Sequence, residues 1–257
     1  MNRFCFLGCI LFFLLRASME EHCIHIDYKN TSLFLKKTHG LKALVLIHGG
    51  KASTESAKAM CERYIPAFPE YDLISIDYRF SSFGGKELDD VISGIEYAHS
   101  LSIPKVYLLG ESHGGYLALM AGAKEKIDGI IDAYGMTDLI AMKEYTEKEN
   151  SQLNTDWQDY IQATLVECAK IELENCLKKR SPYFLAHKIK APVLLLHGSE
   201  DEVVPLDQSE RLVEQFKHIG KKNFKFIVLP GYPHGFPLLE GEVYHIIKDF
   251  FESHQLK

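Results

Sequence analysis

Residues 106–116 read VYLLGESHGGY, and this stretch decides the fold. Its first four residues are apolar and form a short strand pattern, and the residues after the paired glycines have a helical one. The GESHG between them matches G-x-S-x-G, which in this context carries a serine on a sharp, strained turn. Side chains at Gly110 and Gly114 would collide with neighbouring backbone in such a turn. Ser112 is therefore the candidate nucleophile.

Apolar runs of the same kind recur on both sides of this stretch. They are short and apolar throughout, as parallel strands are when both faces of the sheet are buried. Helical patterns separate them, which predicts an α/β fold with a mostly parallel, doubly wound sheet. The first two strands flank residues 29–31 as a hairpin. The predicted strands cover residues 23–28, 33–37, 43–47, 73–76, 106–109, 129–133, 193–196 and 226–229, and the predicted helices cover residues 53–64, 86–101, 115–123, 206–219 and 242–253.

One segment, from about residue 137 to 183, interrupts this alternation and contains no strand pattern. Thr155 and Gln158 fit a capping box at the start of a helix that runs toward Leu177. The segment lies between two core strands, and ligands bind at the carboxyl ends of strands in α/β sheets. It is therefore predicted to be a small helical insert and is a candidate lid. The alternative is a packing unit that does not contact the substrate.

A serine is a weak nucleophile until a base removes its proton, and the base needs an acid to orient it. His234 lies in PGYPHGF, the loop after the last predicted strand. The chain order Ser, Asp, His places the base there. Asp201, in HGSEDEVVP after the preceding strand, is the preferred acid. The competing acids in this loop are Glu200, Glu202 and Asp207.

A tetrahedral oxyanion needs hydrogen-bond donors. The amide of His113, directly after the serine, is the first candidate. The second comes from the HGGK sequence that ends the strand at 43–47, where Gly50 is preferred over Gly49. His48 and His197 each end a strand before a glycine, and we expect them to order the neighbouring loops.

The first 18 residues have the pattern of a secretory signal peptide: a basic start, an apolar run over 4–15 and small residues after it. That run is too short to span a bilayer. We predict a signal peptide over 1–18, a single domain over 19–257 and a secreted or periplasmic location. A retained hydrophobic segment is the alternative, and without a signal peptide the location is cytoplasmic.

Four of the six cysteines follow this segment. Cys168 and Cys176 lie eight residues apart, and they either pair across a turn or remain thiols. The chain contains no C-x-x-C, so the cysteines do not indicate a zinc ribbon or a thioredoxin-type site.

The composition excludes several classes of protein. The 257 residues fit one large domain, and 46% hydrophobic and 25% charged residues are ordinary for a globular chain. With 29 basic and 35 acidic residues the net charge is −6, which argues against a nucleic acid partner. No apolar stretch reaches the length that an integral membrane domain requires. The expected partner is a small ester or a short peptide as substrate, and the composition does not define an oligomeric state.

From about Leu41 onward, the chain resembles the α/β-hydrolase superfamily. It is most similar to the catalytic domain of the prolyl oligopeptidase family of serine peptidases. Each of the shared motifs also occurs in some esterases, but the set together favours that family. The motifs are His48-Gly49-Gly50, Asp77-Tyr78-Arg79, Gly114-Gly115-Tyr116, Ser181-Pro182, Asp201 with Val204-Pro205, and His234-Gly235-Phe236.

The resemblance implies a serine hydrolase that cleaves peptide or ester acyl bonds through an acyl-enzyme, without a metal or organic cofactor. Lys51 stands where family members often have proline, and Phe80-Ser81 stands where they have Gly-Ser. The 257 residues also leave no room for the family's β-propeller, so peptide specificity does not transfer with the fold. The alternatives are a carboxylesterase or thioesterase for small acyl esters and, more remotely, a hydrolase-fold protein that only binds.

Overall fold

The structure is a computed structural model that describes residues 22–50, 54–80, 83–148 and 155–253. The predicted signal peptide lies outside these residues. The side chains of residues 155–160 also lie outside the description, and with them the predicted capping box.

A single eight-stranded sheet organises the described residues, with strand order β1-β2-β4-β3-β5-β6-β7-β8. The β1–β2 and β2–β4 pairs are antiparallel, and every other pair is parallel. This confirms the predicted α/β fold and its hairpin. The strands are β1 (Ile24–Tyr28), β2 (Thr31–Lys36), β3 (Lys42–Ile47), β4 (Asp72–Asp77), β5 (Lys105–Glu111), β6 (Gly129–Ala133), β7 (Val193–Gly198) and β8 (Phe224–Leu229).

Helices cover both faces of the sheet. They are α1 (Thr54–Tyr64), α2 (Lys86–Ser100), α3 (His113–Gly122), α4 (Leu139–Thr146), α5 (Thr155–Ala169), α6 (Leu173–Lys179), α7 (Pro182–Leu185), α8 (Asp207–His218) and α9 (Gly241–Ser253). The described helices include none that combines the length and apolarity needed to cross a membrane.

Two apolar cores lie on opposite sides of the sheet. In β3, Val45 and Ile47 pack into the core formed with α2, α3, α8 and the insert, and Leu44 and Leu46 pack into the core formed with α1 and α9. All four residues are completely buried. An alternating strand can supply both cores only if every residue is apolar, which explains the continuous apolar runs in the sequence.

The insert between β6 and β7 is helical, as predicted, but its main helix is shorter than expected. The expectation of one helix running toward Leu177 is wrong, because α5 ends at Ala169 and α6 begins at Leu173. A disulfide between Cys168 and Cys176 joins the two helices, with the Cα atoms 5.3 Å apart. Eight residues of continuous helix would separate these Cα atoms by about 12 Å, so the disulfide requires the bend.

A second disulfide joins Cys23, just before β1, to Cys61 on α1. It links the antiparallel edge of the sheet to the helix that follows β3. Sequence counting left four cysteines after the predicted signal peptide without assigning this pair. In the structure, all four of these residues form disulfides.

The turn from β5 to α3 crosses the end of β3 at very short range. A Cβ atom on Gly114 would lie 2.0 Å from the carbonyl oxygen of Ile47, and one on Gly110 would lie 2.1 Å from the carbonyl oxygen of Gly114. Both glycines of the motif are therefore required by contact between backbone segments.

We expect Gly114→Ala to lower the free energy of unfolding by about 3 kcal/mol or more, because β3 and the turn must separate to accept the methyl group. Urea unfolding would measure the loss. Gly220→Ala is the matched control, since Gly220 has φ +75° and no atom within 4 Å of the added methyl. It should cost only the left-handed strain, about 1–2 kcal/mol. Equal losses in the two variants would show that the close contact with Ile47 does not determine the loss of stability.

Candidate active site

Ser112 lies between the end of β5 and the start of α3. Its backbone has φ 55° and ψ −117°, a conformation that side-chain-bearing residues rarely adopt. The Ser112 amide donates to the carbonyl of Ala133 at 2.8 Å, which ties the strained turn to β6. The side chain is held at the carboxyl edge of the parallel strands, where α/β sheets bind ligands.

The structure brings Ser112, His234 and Asp201 together. Nε2 of His234 is 3.0 Å from Oγ of Ser112, and Nδ1 of His234 is 2.7 Å from Oδ2 of Asp201. A carboxylate only accepts hydrogen bonds, so Nδ1 carries the proton and the lone pair of Nε2 faces the serine hydroxyl. This arrangement allows the imidazole to take the hydroxyl proton.

The Asp201 carboxylate is buried but well supplied with donors. Its Oδ1 accepts from the amides of Val203 and Val204, at 3.0 and 2.8 Å. Burial, the largest single influence, raises the pKa of Asp201, but hydrogen bonds from His197 and His234 outweigh it and hold the pKa at about 2. The carboxyl group therefore stays ionised at neutral and mildly acidic pH.

The other acids of this loop lie elsewhere. The Glu200 and Glu202 side chains are exposed, and Asp207 pairs with Arg211 at 3.2 Å on α8. Of the four acids that the sequence left open, Asp201 is the one whose carboxylate contacts His234.

The candidate oxyanion donors lie on two sides of Ser112. His113 is the first residue of α3, where backbone amides lack partners within the helix. Gly49 packs directly against the serine, because a Cβ atom on it would lie 3.1 Å from Cβ of Ser112. Gly50 has φ +67°, and its carbonyl accepts from the Tyr78 hydroxyl at 3.4 Å.

Two buried histidines, His48 and His113, flank the serine. The His48 ring stacks on Tyr78 at 4.4 Å, and its Nδ1 donates to the carbonyl of Gly49 at 2.9 Å. Burial lowers the pKa of His48, and it lowers the pKa of His113 to about 3, with a further contribution from His48. Both rings are neutral at physiological pH, so they add no charge beside the nucleophile.

An open cleft of about 410 Å³ leads to Ser112. One wall is the face of α1 that carries Ala59, Met60 and Arg63. The Arg63 guanidinium pairs with Glu111 at 2.7 Å, and Glu111 also accepts from the Tyr64 hydroxyl at 2.9 Å. The described part of the chain holds no group of three or more His, Cys, Asp or Glu side chains arranged to bind a metal ion.

Comparison with known proteins agrees with this architecture. Residues 33–216 match the model of the BD-FAE family. The chain belongs to the BD-FAE family. It is an α/β-hydrolase of the prolyl oligopeptidase-like type in its fold.

Individual relatives of this hydrolase include both esterases and peptidases. Esterase LipC of Mycobacterium tuberculosis is 24% identical over 192 residues, which cover 65% of this chain and 46% of LipC. The uncharacterized peptidase YuxL of Bacillus subtilis is 25% identical over 182 residues, 67% of this chain and 26% of YuxL. The hydrolase thus spans less than half of the length of these two relatives. A truncated form of a carbohydrate esterase from gut microbiota superimposes with a TM-score of 0.69 at 20% identity, over 93% of this chain and 99% of that one.

Tyr134 is a cleft residue of the hydrolase that the sequence analysis missed. It follows β6, has φ +48° and is almost fully buried. Its ring makes an edge contact with His234 at 4.9 Å and with Phe236 at 4.8 Å, so it supports the loop that carries the base. Its position at the carboxyl end of a core strand is the signal that could have found it.

The insert of the hydrolase reaches the neighbourhood of the site through α4. The Tyr145 hydroxyl donates to the carbonyl of Glu202, next to Asp201, at 2.7 Å. Among the residues whose side chains the structure describes, the cleft wall includes none from the insert. The candidate lid stays a prediction.

Asp132 on β6 is a buried carboxyl group outside the triad geometry. Its Oδ1 accepts from the amide of Gly135 at 3.0 Å, and its Oδ2 has no hydrogen-bond partner among the described residues. Burial raises the pKa of Asp132 to about 7, although the neighbouring His197 and the Gly135 amide lower it.

Between pH 4 and pH 7 the folded protein therefore keeps a proton on Asp132 that the unfolded chain has lost, and stability falls as the pH rises through this range. We expect Asp132→Asn to remove this dependence. Relative to wild type, the variant should gain on the order of 2 kcal/mol between pH 5 and pH 8. Urea unfolding at the two pH values measures the difference, with Asp249→Asn on the exposed face of α9 as the control. If the difference in unfolding free energy between wild type and variant is the same at both pH values, Asp132 does not keep its proton in the folded protein.

Proposed function

We propose that this hydrolase cleaves acyl esters with Ser112 as nucleophile, His234 as base and Asp201 as the acid that orients the base. One observation carries the proposal. The two hydrogen bonds of His234, 3.0 Å to Ser112 and 2.7 Å to Asp201, put a basic nitrogen against a hydroxyl on a strained turn. A structural histidine does not require its partner serine to adopt φ 55°.

In the proposed mechanism, Oγ of Ser112 attacks the acyl carbonyl while Nε2 of His234 takes the hydroxyl proton. The negative charge of Asp201 stabilises the imidazolium that forms. The amides of His113 and Gly50 stabilise the tetrahedral oxyanion, and Gly49 is the alternative to Gly50. His234 then protonates the leaving group, and water hydrolyses the acyl-enzyme by the same steps in reverse order.

The cleft favours a small acyl group. Ala59 offers exposed apolar surface on the wall of this cleft, and the Arg63–Glu111 pair adds polar groups to the same wall. LipC, a relative named as an esterase, supports ester substrates. A carboxylesterase acting on short acyl esters fits these features best.

A peptidase is the second candidate. YuxL is named as a peptidase, and its alignment covers 67% of this chain. The alignment covers only 26% of YuxL, so most of that protein has no counterpart in the aligned region. Cleavage of short peptides by the same triad is therefore the alternative proposal.

We also propose a secreted or periplasmic location. Both disulfides join elements that pack on the described fold, and disulfides persist in oxidising compartments. The single domain predicted over residues 19–257 remains part of this proposal.

Ser112→Ala should abolish turnover and labelling by a fluorophosphonate while leaving the unfolding midpoint close to that of wild type. Loss of a triad nucleophile costs about 10⁴–10⁶ in kcat. The assay compares 4-nitrophenyl acetate and butyrate with a series of peptide anilides. Turnover of esters alone supports the esterase, and comparable kcat/KM on anilides supports the peptidase. Retention of more than about a tenth of the activity by Ser112→Ala would contradict the assignment.

Asp201→Asn should lower kcat by about 10⁴ with little change in KM, because the amide can donate to Nδ1 and stabilise the wrong tautomer of His234. The wild-type enzyme should lose activity tenfold per pH unit on the acid side, from one protonation. Asp201 does not contribute to that limb, because its pKa of about 2 lies far below the range measured. Profiles of kcat/KM from pH 5 to pH 9 on one activated ester test both statements. A near-wild-type kcat in the Asn variant would exclude Asp201 as the triad acid.

A further inference from the structure

A second histidine stands behind the acid of the proposed triad. His197, in β7, is completely buried, and its Nε2 is 3.4 Å from Oδ2 of Asp201. This is the same oxygen that accepts from Nδ1 of His234 at 2.7 Å. Asp201 is thus enclosed between two imidazoles, and only one of them contacts the serine.

The neighbours of His197 decide which of its nitrogens carries a proton. Nε2 is 2.8 Å from the carbonyl oxygen of Val204, which can only accept, so Nε2 bears hydrogen. Nδ1 is 2.8 Å from Oγ of Ser209, a hydroxyl that can donate to it. The Nε2 proton points mainly at Val204, and Asp201 is the longer, second acceptor of a shared hydrogen bond.

We infer that His197 is a positioning residue that acts through Asp201, and this inference rests on the proposed function. Its N–H holds the Val204 carbonyl and faces the carboxylate oxygen shared with His234. These two contacts fix the loop that carries Asp201. The N–H also offsets part of the negative charge on Oδ2, so His234 experiences a weaker negative charge.

Other charged and titratable groups near Asp201 lie on β6 and just after it, on α4, in the Asp201 loop and at the start of α8. Burial raises the pKa of Tyr134, at the end of β6, and of Tyr145, on α4, and the negative charge of Asp201 raises both further. Glu202 and Asp207 also raise the pKa of Tyr145, and Asp132 on β6 interacts electrostatically with His197. In the described structure, His197 and His234 are the titratable groups whose ring nitrogens approach Oδ2 of Asp201, at 3.4 and 2.7 Å.

The electrostatic consequence has a definite sign. Removing the His197 donor leaves more uncompensated negative charge on Asp201, and a nearby negative charge favours a protonated imidazole. His234 would then hold its proton to higher pH, where it cannot act as a base. Loss of His197 should therefore move the acid limb of kcat/KM upward.

The first test uses the wild-type enzyme labelled with ¹⁵N-histidine. Long-range ¹H–¹⁵N correlation spectra at pH 8 should show His197 protonated on Nε2 and bare on Nδ1. A proton on Nδ1 alone would direct a lone pair at Asp201 and overturn the inference. This measurement needs no variant, so it can overturn the inference even if substitution of His197 prevents folding.

The second test compares His197→Leu with His197→Gln on one activated ester. We expect the acid limb to move up by about 0.5–1 pH unit in the Leu variant, so that kcat/KM at pH 6 falls about threefold to tenfold more than at pH 8. In the Gln variant the side-chain amide restores an N–H donor, and the limb should stay near its wild-type position. A folded Leu variant whose kcat/KM profile keeps the wild-type acid limb would overturn the inference, because a merely structural role lowers activity equally at all pH values.

The two proposals fail in different ways. If Asp201→Asn or Ser112→Ala retains activity, the proposed triad is wrong whatever His197 does. If both of those variants are inactive and the Leu variant keeps the wild-type limb, the triad stands and the role of His197 is excluded.

Discussion

The contact between the β5–α3 turn and the end of β3 is the constraint on which the site depends. Two backbone segments approach so closely that Gly114 has no room for a Cβ atom beside the carbonyl of Ile47. This approach puts the start of α3 next to the glycines after β3, so amides from two different loops border Ser112. The hydrogen bond from the Ser112 amide to Ala133 then fixes the turn to a third strand. The strained φ of the serine is tolerated because its neighbours on both sides are themselves fixed.

This constraint explains why so much of the architecture could be predicted from sequence. Residues 106–116 carry a local pattern because three requirements meet there. The strand must be apolar on both faces, the turn has room only for glycine, and a helix must follow directly. The strands were predicted for a related reason, since Leu44 and Val45 face different cores and both must be apolar. The places of Asp201 and His234 follow from chain order once the sheet is known, because the loops after β7 and β8 end at the same edge as the serine.

Features that depend on long-range packing left no comparable pattern. The Cys23–Cys61 pair joins residues 38 apart in sequence, and only the pairing of β1 with β2 brings that edge to α1. The bend between α5 and α6 was missed because residues 155–177 have helical composition throughout. Arg63 and Glu111 meet on the wall of the cleft through the packing of α1 on the sheet. Their separation of 48 residues carries no periodic signal.

The distribution of charge around Ser112 is as specific as its geometry. On the side of Gly49 and Gly50, burial keeps His48 and His113 neutral, so neither ring places a positive charge beside the serine hydroxyl. On the opposite side, Asp201 remains negative in a buried position because two amides and two imidazoles satisfy its oxygens. A buried carboxylate without such partners would take up a proton, as Asp132 does one strand away with its Oδ2 lacking a partner among the described residues. Asp132 and Asp201 are both buried near the carboxyl ends of neighbouring strands. The number of hydrogen-bond donors around each carboxyl group decides which of them carries charge. The negative charge available to His234 therefore depends on the loop conformation that holds Val203, Val204 and His197 against Asp201, as much as on the presence of an aspartate in the sequence.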